Sequence, residues 1–250
     1  RQARVLALES DPRATSRTML EERALQAGVW LAPEQTPWDK PWLSAPLREW
    51  VKARLLAIFQ DESAFSALTD AGLASFLLLD PCEDFASGVL PVQDHRLLLM
   101  AHEAGVPVRG LEAWDSFLAD MSQPDQQETA EAIALVQAAS LNPDGFHAAR
   151  AAAFRLYREG RLAEMGLWAH VYLEGILGKK RAGHLLELAD GYLVHARNHR
   201  FLRAISSELE QGNAVFVVGA AQLSGADGVL SGLAAAGYRV RRLPVPGEAP

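Results

Sequence analysis

The 250-residue chain carries 31 Asp and Glu against 24 Lys and Arg, a formal charge of −7 at pH 7, with 49% hydrophobic and 22% charged residues. That is an ordinary globular make-up, long enough for one sizeable core, and its acidity argues against nucleic acid or an anionic membrane surface as partner. The one cysteine, Cys82, excludes an intrachain disulfide, and no apolar run approaches the roughly 20 residues of a membrane span.

The chain opens without Met, almost directly into a strand. A processed or truncated chain is expected, with room for a signal peptide upstream. Val5 to Leu8 has the apolar pattern of a buried strand. Glu9 and Asp11 follow it. An acid at this point is either a helix-start charge or a ligand or base at the sheet edge. Arg13 to Ala27 reads as a helix stopped by Gly28. Trp30 to Ser44 holds three Trp and three Pro and reads as a self-packed loop or a lid over a site. Pro46 to Phe59 is amphipathic, with Leu47, Trp50, Val51 and Leu55 near one face. Asp61 to Leu79 continues as helix, with Gly72 as its expected break.

Asp94 starts a helix that ends at Gly105, and Val106 to Glu112 is a short strand. Glu112 is either a strand-end carboxylate or an acid at the start of a helix from Ala113 to Met121. His95 and His102, seven apart, share a helix face but lack a third ligand nearby in sequence. Pro124 to Gly191 reads as a helical stretch. Asn142-Pro-Asp-Gly145 is an expected turn, followed by helices at Phe146–Glu159 and Leu162–Leu177. Gly178 and the basic Lys179-Lys-Arg181 are an expected flexible link.

Tyr192 to Leu209 is the last long helix. Its Arg197 offers a planar fork for a carboxylate or phosphate, and Asn198 offers a donor and an acceptor. Both could face a substrate. Equally, Arg197 could be a buried partner of Glu9 or Glu112 that holds the sheet edge. Ala214 to Val218 reads as a strand buried on both faces. Gly219 ends it, and Gln222 falls on an expected tight turn at the sheet's C-terminal edge, where open α/β sheets place their ligands. Asp227 and Gly228 lead into a helix from Val229 that Gly237 stops. Tyr238 to Leu243 reads as a returning strand. There is no Gly-rich phosphate loop, no His-Glu-x-x-His and no Gly-x-Ser-x-Gly, which removes most common enzyme classes.

The passage Gly219-Ala-Ala-Gln222-Leu-Ser-Gly225-Ala-Asp227-Gly228, with Gly237-Tyr-Arg-Val after it, resembles the C-terminal signature of the TraB/PrgY/GumN family, related to the Tiki metalloproteases. So do Asp94 through Glu112, ending in Pro107-Val-Arg-Gly-Leu-Glu112, and Arg197-Asn198-His-Arg-Phe201. The resemblance implies an α/β fold, a small central sheet with a large helical insert at 124–191, forming a single domain over 1–250. It implies metal-dependent, peptidase-type hydrolysis of a peptide or small molecule, with a divalent ion such as Mn²⁺, and a periplasmic or secreted setting. It places Glu9, Glu112, Arg197 and Asn198 at the catalytic centre, Glu9 and residue 222 on the metal, and Gly219, Asp227 and Gly228 on the site loop.

The chain departs from the family pattern in two places. The family's Gly-x-x-His is Gly-x-x-Gln here, and no first Gly-x-x-His occurs anywhere in the sequence. An amide oxygen is a poorer transition-metal ligand than imidazole and is no base near neutral pH. Two outcomes follow from the resemblance. One is a hydrolase with a degenerate metal site. The other is an inactive member that binds a ligand or partner in polysaccharide, conjugation or envelope systems.

Overall fold

The computed structural model describes residues 3–10, 40–63, 67–78, 93–113, 115–140 and 143–243, without the side chains of 58, 59, 95 and 143–148. Asp11, Cys82, Asn142, the expected helix at 13–27 and most of the Trp- and Pro-rich loop lie outside the described residues, as does the His95 side chain.

Among the described residues three parallel strands form the sheet, in the order β2-β1-β3. The central strand is β1 (Val5–Ser10), flanked by β2 (Val108–Glu112) and β3 (Ala214–Phe216). The register pairs Ser10 with Glu112 and Val5 with Ala214. Because all three strands run the same way, their C-terminal ends share one edge, and Glu9, Glu112 and the chain after β3 emerge there together.

Val5, Leu6, Ala7 and Leu8 are all buried, as a central parallel strand covered on both faces must be. On one face Leu6, Leu8 and Val108 pack with Ala101, from α3 (Gln93–Glu103). On the other, Ala7 and Leu111 meet Phe201, Ile205 and Val229. The two preceding helices are α1 (Ala45–Phe59) and α2 (Asp70–Leu77). After β2 come α4 (Ser116–Met121), α5 (Gln127–Ser140), α6 (Pro143–Arg158), α7 (Leu162–Leu177) and α8 (Lys179–Asp190). A π-helical turn (Gly191–Ala196) joins α8 to α9 (Arg197–Leu209). The chain closes with β3, α10 (Ala220–Leu223) and α11 (Val229–Ala235).

The helical insert shares a second core with α1 and α2. Leu47, Val51 and Leu55 of α1, Leu73 and Leu77 of α2, and Ile133 of α5 are fully covered there. The alanines of α5, among them Ala130, Ala134 and Ala138, are buried as well, and their small side chains let its neighbours approach closely. The protein is thus an α/β fold with a small parallel sheet and a large helical insert. No helix of the described residues is long and apolar enough to cross a membrane.

Several local expectations are corrected. β3 spans only Ala214–Phe216, and Val215 is 47% exposed. Among the described residues β3 pairs with β1 alone, and the exposed Val215 side chain shows that one of its faces is uncovered. Tyr238 to Leu243 forms no strand, and Tyr238, Val240 and Leu243 are exposed. Among the described residues no apolar layer covers their side chains, and an edge strand without burial is marginal.

Gly72 does not break a helix. It lies buried in the first turn of α2, where its N–H donates to the Thr69 cap at 3.0 Å. Pro143 to Gly145 is the opening of α6 rather than a turn, since proline is at ease in a first helical turn. Gly178, at φ +82°, is a one-residue break, and Lys179 to Arg181 already belong to α8.

Candidate functional site

The two strand-end acids meet one guanidinium. Arg197, the first residue of α9, donates from Nη2 to Glu9 Oε2 at 2.7 Å and to Glu112 Oε1 at 2.6 Å, while its Nε reaches Glu112 Oε1 at 2.8 Å. The side chains are 20%, 24% and 9% exposed for Arg197, Glu9 and Glu112. The other oxygen of Glu9 accepts the Gly219 N–H at 2.6 Å. A Cβ on Gly219 would stand 3.1 Å from that oxygen, so glycine keeps the approach open. The Phe201 ring lies one helical turn on, 5.1 Å from the Arg197 guanidinium, a favourable face for a cation.

The network continues along α9. Arg200 Nε donates to Glu112 Oε2 at 3.3 Å and Nη1 to Asp120 at 3.1 Å. The Tyr192 hydroxyl donates to Asp120 Oδ2 at 2.6 Å and accepts from Arg200 at 3.3 Å. Burial works against charge on both arginines. The hydrogen bonds and negative charges around them outweigh it and hold both above their ordinary values. Burial, then the hydrogen bond to Asp120, pushes the Tyr192 phenol up. Asp94, in the first turn of α3, is raised by burial and by the nearby charge of Glu9.

Asn198 and Gln222 do different work. Asn198, 1% exposed, donates from Nδ2 to the Asp227 carbonyl at 2.9 Å. Gln222, 5% exposed, donates from Nε2 to the Leu193 carbonyl at 2.9 Å. Each leaves a buried side-chain oxygen with no partner among the described residues. Both amides tie the loop after β3 to the helix that carries Arg197, and neither hydrogen-bonds Glu9 or Glu112. Gln222 sits in the short α10 rather than on a tight turn, because Ala220 to Leu223 close one helical turn. Asp227 Oδ2 stands 3.0 Å from His195 Nδ1.

Gly228 is sterically required. A Cβ there would fall 2.5 Å from the Ser224 carbonyl oxygen and 2.6 Å from that of Leu223. Both are backbone atoms and cannot rotate away. Gly228→Ala should therefore shift the 224–228 loop and cost about 2 kcal/mol, within the range for overpacking, read as a lowered midpoint in chemical denaturation.

Of the residues singled out in the sequence, Glu9, Glu112, Arg197 and Gly219 come together. Asn198, Gln222, Asp227 and Gly228 form the adjoining loop anchor. His102 is exposed on α3, and Arg181 of the basic triplet donates to the Trp42 carbonyl at 2.8 Å. Arg200, Asp120, Tyr192 and His195 were not anticipated. Arg200 could have been found, three residues after Arg197 on one helix face. Tyr192 and His195 are presented by the π turn, which leaves no pattern in sequence.

These residues do not fit a divalent metal. Among the described residues no three His, Cys, Asp or Glu side chains are grouped to hold one. The two strand-end carboxylates are spent on Arg197, Arg200 and the Gly219 N–H, and Gln222 faces a backbone carbonyl. A cleft of about 940 Å³ opens beside the network, with Tyr192, Arg200 and Asp120 in its wall.

A parallel α/β sheet with a charged centre at the C-terminal ends of its strands defines the class of molecule. A sequence profile of the TraB/PrgY/gumN family matches residues 1–242, and the chain belongs to that family. No match was found among curated proteins or solved structures.

Proposed function

We propose that this chain is a TraB/PrgY/gumN-family protein with a degenerate metal site, one that keeps the hydrolase-type framework but works by binding a ligand. The supporting observation is that Arg197 bridges Glu9 and Glu112. A guanidinium there meets the charge of both carboxylates and occupies the point that Glu9 Oε2 and Glu112 Oε1 share. Gln222, with its amide on Leu193, adds neither a ligand nor a base. The residues then have clear roles. Arg197 and Arg200 hold the sheet edge closed, while Asn198 and Gln222 fix the loop that borders it. An accessory role in envelope, polysaccharide or conjugation systems accords with this reading.

A second reading, metal-dependent peptidase-type hydrolysis, draws on one feature. Two carboxylate oxygens lie within reach of the same Arg197 nitrogen, close enough for one cation to touch both if the arginine withdrew. A thermal melt with Mn²⁺, Co²⁺ or Zn²⁺ against EDTA separates the two. A degenerate site gives no saturable shift with any ion. A bound metal would add about 2.7 kcal/mol of stability at a hundredfold excess over its dissociation constant, and such a shift would favour the second reading.

A further inference from the structure

The cleft beside the charged centre has a wall chemistry of its own. Four carboxylates line it (Asp120, Asp125, Glu187 and Asp190) against one guanidinium, Arg200. Arg200 is already engaged by Glu112, Asp120 and Tyr192. Asp125, Glu187 and Asp190 have no Lys or Arg partner among the described residues. The imidazoles at the cleft, His170 and His195, are each set against another acid, Glu174 at 3.1 Å and Asp227 at 3.0 Å.

An excess of acids alone would be only a solvated surface. Two further observations separate this cleft from one. Thr129 lines it while 9% exposed, and its hydroxyl makes no hydrogen bond among the described residues. A helical threonine can return its hydroxyl to the carbonyl four residues back; here the hydroxyl is instead left open to the cleft, where it can accept from a ligand. In addition, Gly183 and Gly191 line the cleft, and a Cβ on either would meet nothing within 4 Å. The wall between the acids is open space. A volume of about 940 Å³ is within the usual range for ligand pockets.

We infer that this cleft binds a small cationic ligand carrying two or more ammonium groups, held by Asp125, Glu187 and Asp190 with the Thr129 hydroxyl accepting from it. Ammonium groups suit the wall because they donate only, and every unpaired group named here accepts. The same chemistry could come from a free polyamine or from lysine side chains of a short peptide. The inference builds on the binding role proposed above but does not depend on Arg197 or on metal.

Calorimetric titration tests it with spermidine and with the peptide acetyl-Lys-Ala-Lys-amide. The same peptide acetylated on both lysines is the neutral control. The decisive variant is Gly183→Leu. Leucine is a better helix former than glycine and its Cβ meets nothing within 4 Å at this position, so the protein should fold while the side chain obstructs the wall between the acids. Saturable binding of one cationic probe, weakened at least tenfold by Gly183→Leu and by Asp190→Asn, is the expected result, and which probe binds identifies the source. Binding no tighter than the neutral peptide, or binding unchanged in Gly183→Leu, overturns the inference. Either negative leaves the metal titration untouched, so the two readings fail separately.

Discussion

Replacing Arg197 by Met should cost about 3 kcal/mol and lower the melting temperature by roughly 6–12 °C for a chain of this size. Glu112, 9% exposed at its side chain, and Glu9 would lose the cation that bridges them. Breaking a buried ion pair from one side costs more than the pair contributes, because the charge left behind is neither solvated nor paired. The loss stays at the lower end of the usual range because Arg200 still reaches Glu112 and the Gly219 N–H still reaches Glu9. Met preserves most of the packing against Phe201, which makes the change chiefly one of charge. A second variant with Glu9 and Glu112 both changed to Gln should recover much of the loss in the Arg197→Met background. A full loss that the glutamines do not relieve would mean that Arg197 acts through packing instead.

Phe201→Ala should be as damaging, at about 3–5 kcal/mol. The ring is 0% exposed and packs with Ala7 of β1, Leu111 of β2, Ile205 of its own helix and Val229 of α11. It is the largest apolar group joining the sheet to α9. Truncation opens a cavity between two layers that β1 and β2 cannot close without losing register. The ring also supports the Arg197 guanidinium from 5.1 Å. Denaturant melts of the single and double variants should therefore show coupling, with Phe201→Ala and Arg197→Met together costing less than their separate losses. Strict additivity would show that the ring and the guanidinium act independently.

Much of this arrangement can be read from the residues before any coordinates. Val5 to Leu8 is uniformly apolar because a central parallel strand has no solvent face, and that run marks β1 with little ambiguity. Glu9 and Glu112 are identifiable as strand-end acids and Arg197 as a cation within the last long helix, and a pair between Arg197 and Glu9 or Glu112 is among the readings open from sequence. The edge strand was harder. Ala214 to Val218 is as apolar as β1, and periodicity cannot tell a strand with two neighbours from one with a single neighbour. Tyr238 to Leu243 has good strand residues but no layer to pack against, and propensity yields to burial.

The helical turn that holds Gln222 escapes sequence reading for a different reason. Gln222 is placed in the sequence by its resemblance to a family motif alone, yet a buried amide needs both a donor and an acceptor partner. It found the Leu193 carbonyl for the one and no partner among the described residues for the other. The π turn at Gly191–Ala196 could not be foreseen at all, since one extra residue in a helical turn carries no composition of its own. It is this turn that brings Tyr192 and His195 to the cleft.

The most direct test of the central claim is calorimetric titration of Mn²⁺ into the parent protein and into Arg197→Met under identical conditions. If Arg197 holds the place of a cation between Glu9 and Glu112, the parent binds no Mn²⁺ saturably, and the variant gains a site that disappears when either carboxylate is changed to its amide. A parent protein that binds Mn²⁺ stoichiometrically, with affinity lost rather than gained in Arg197→Met, would contradict the account.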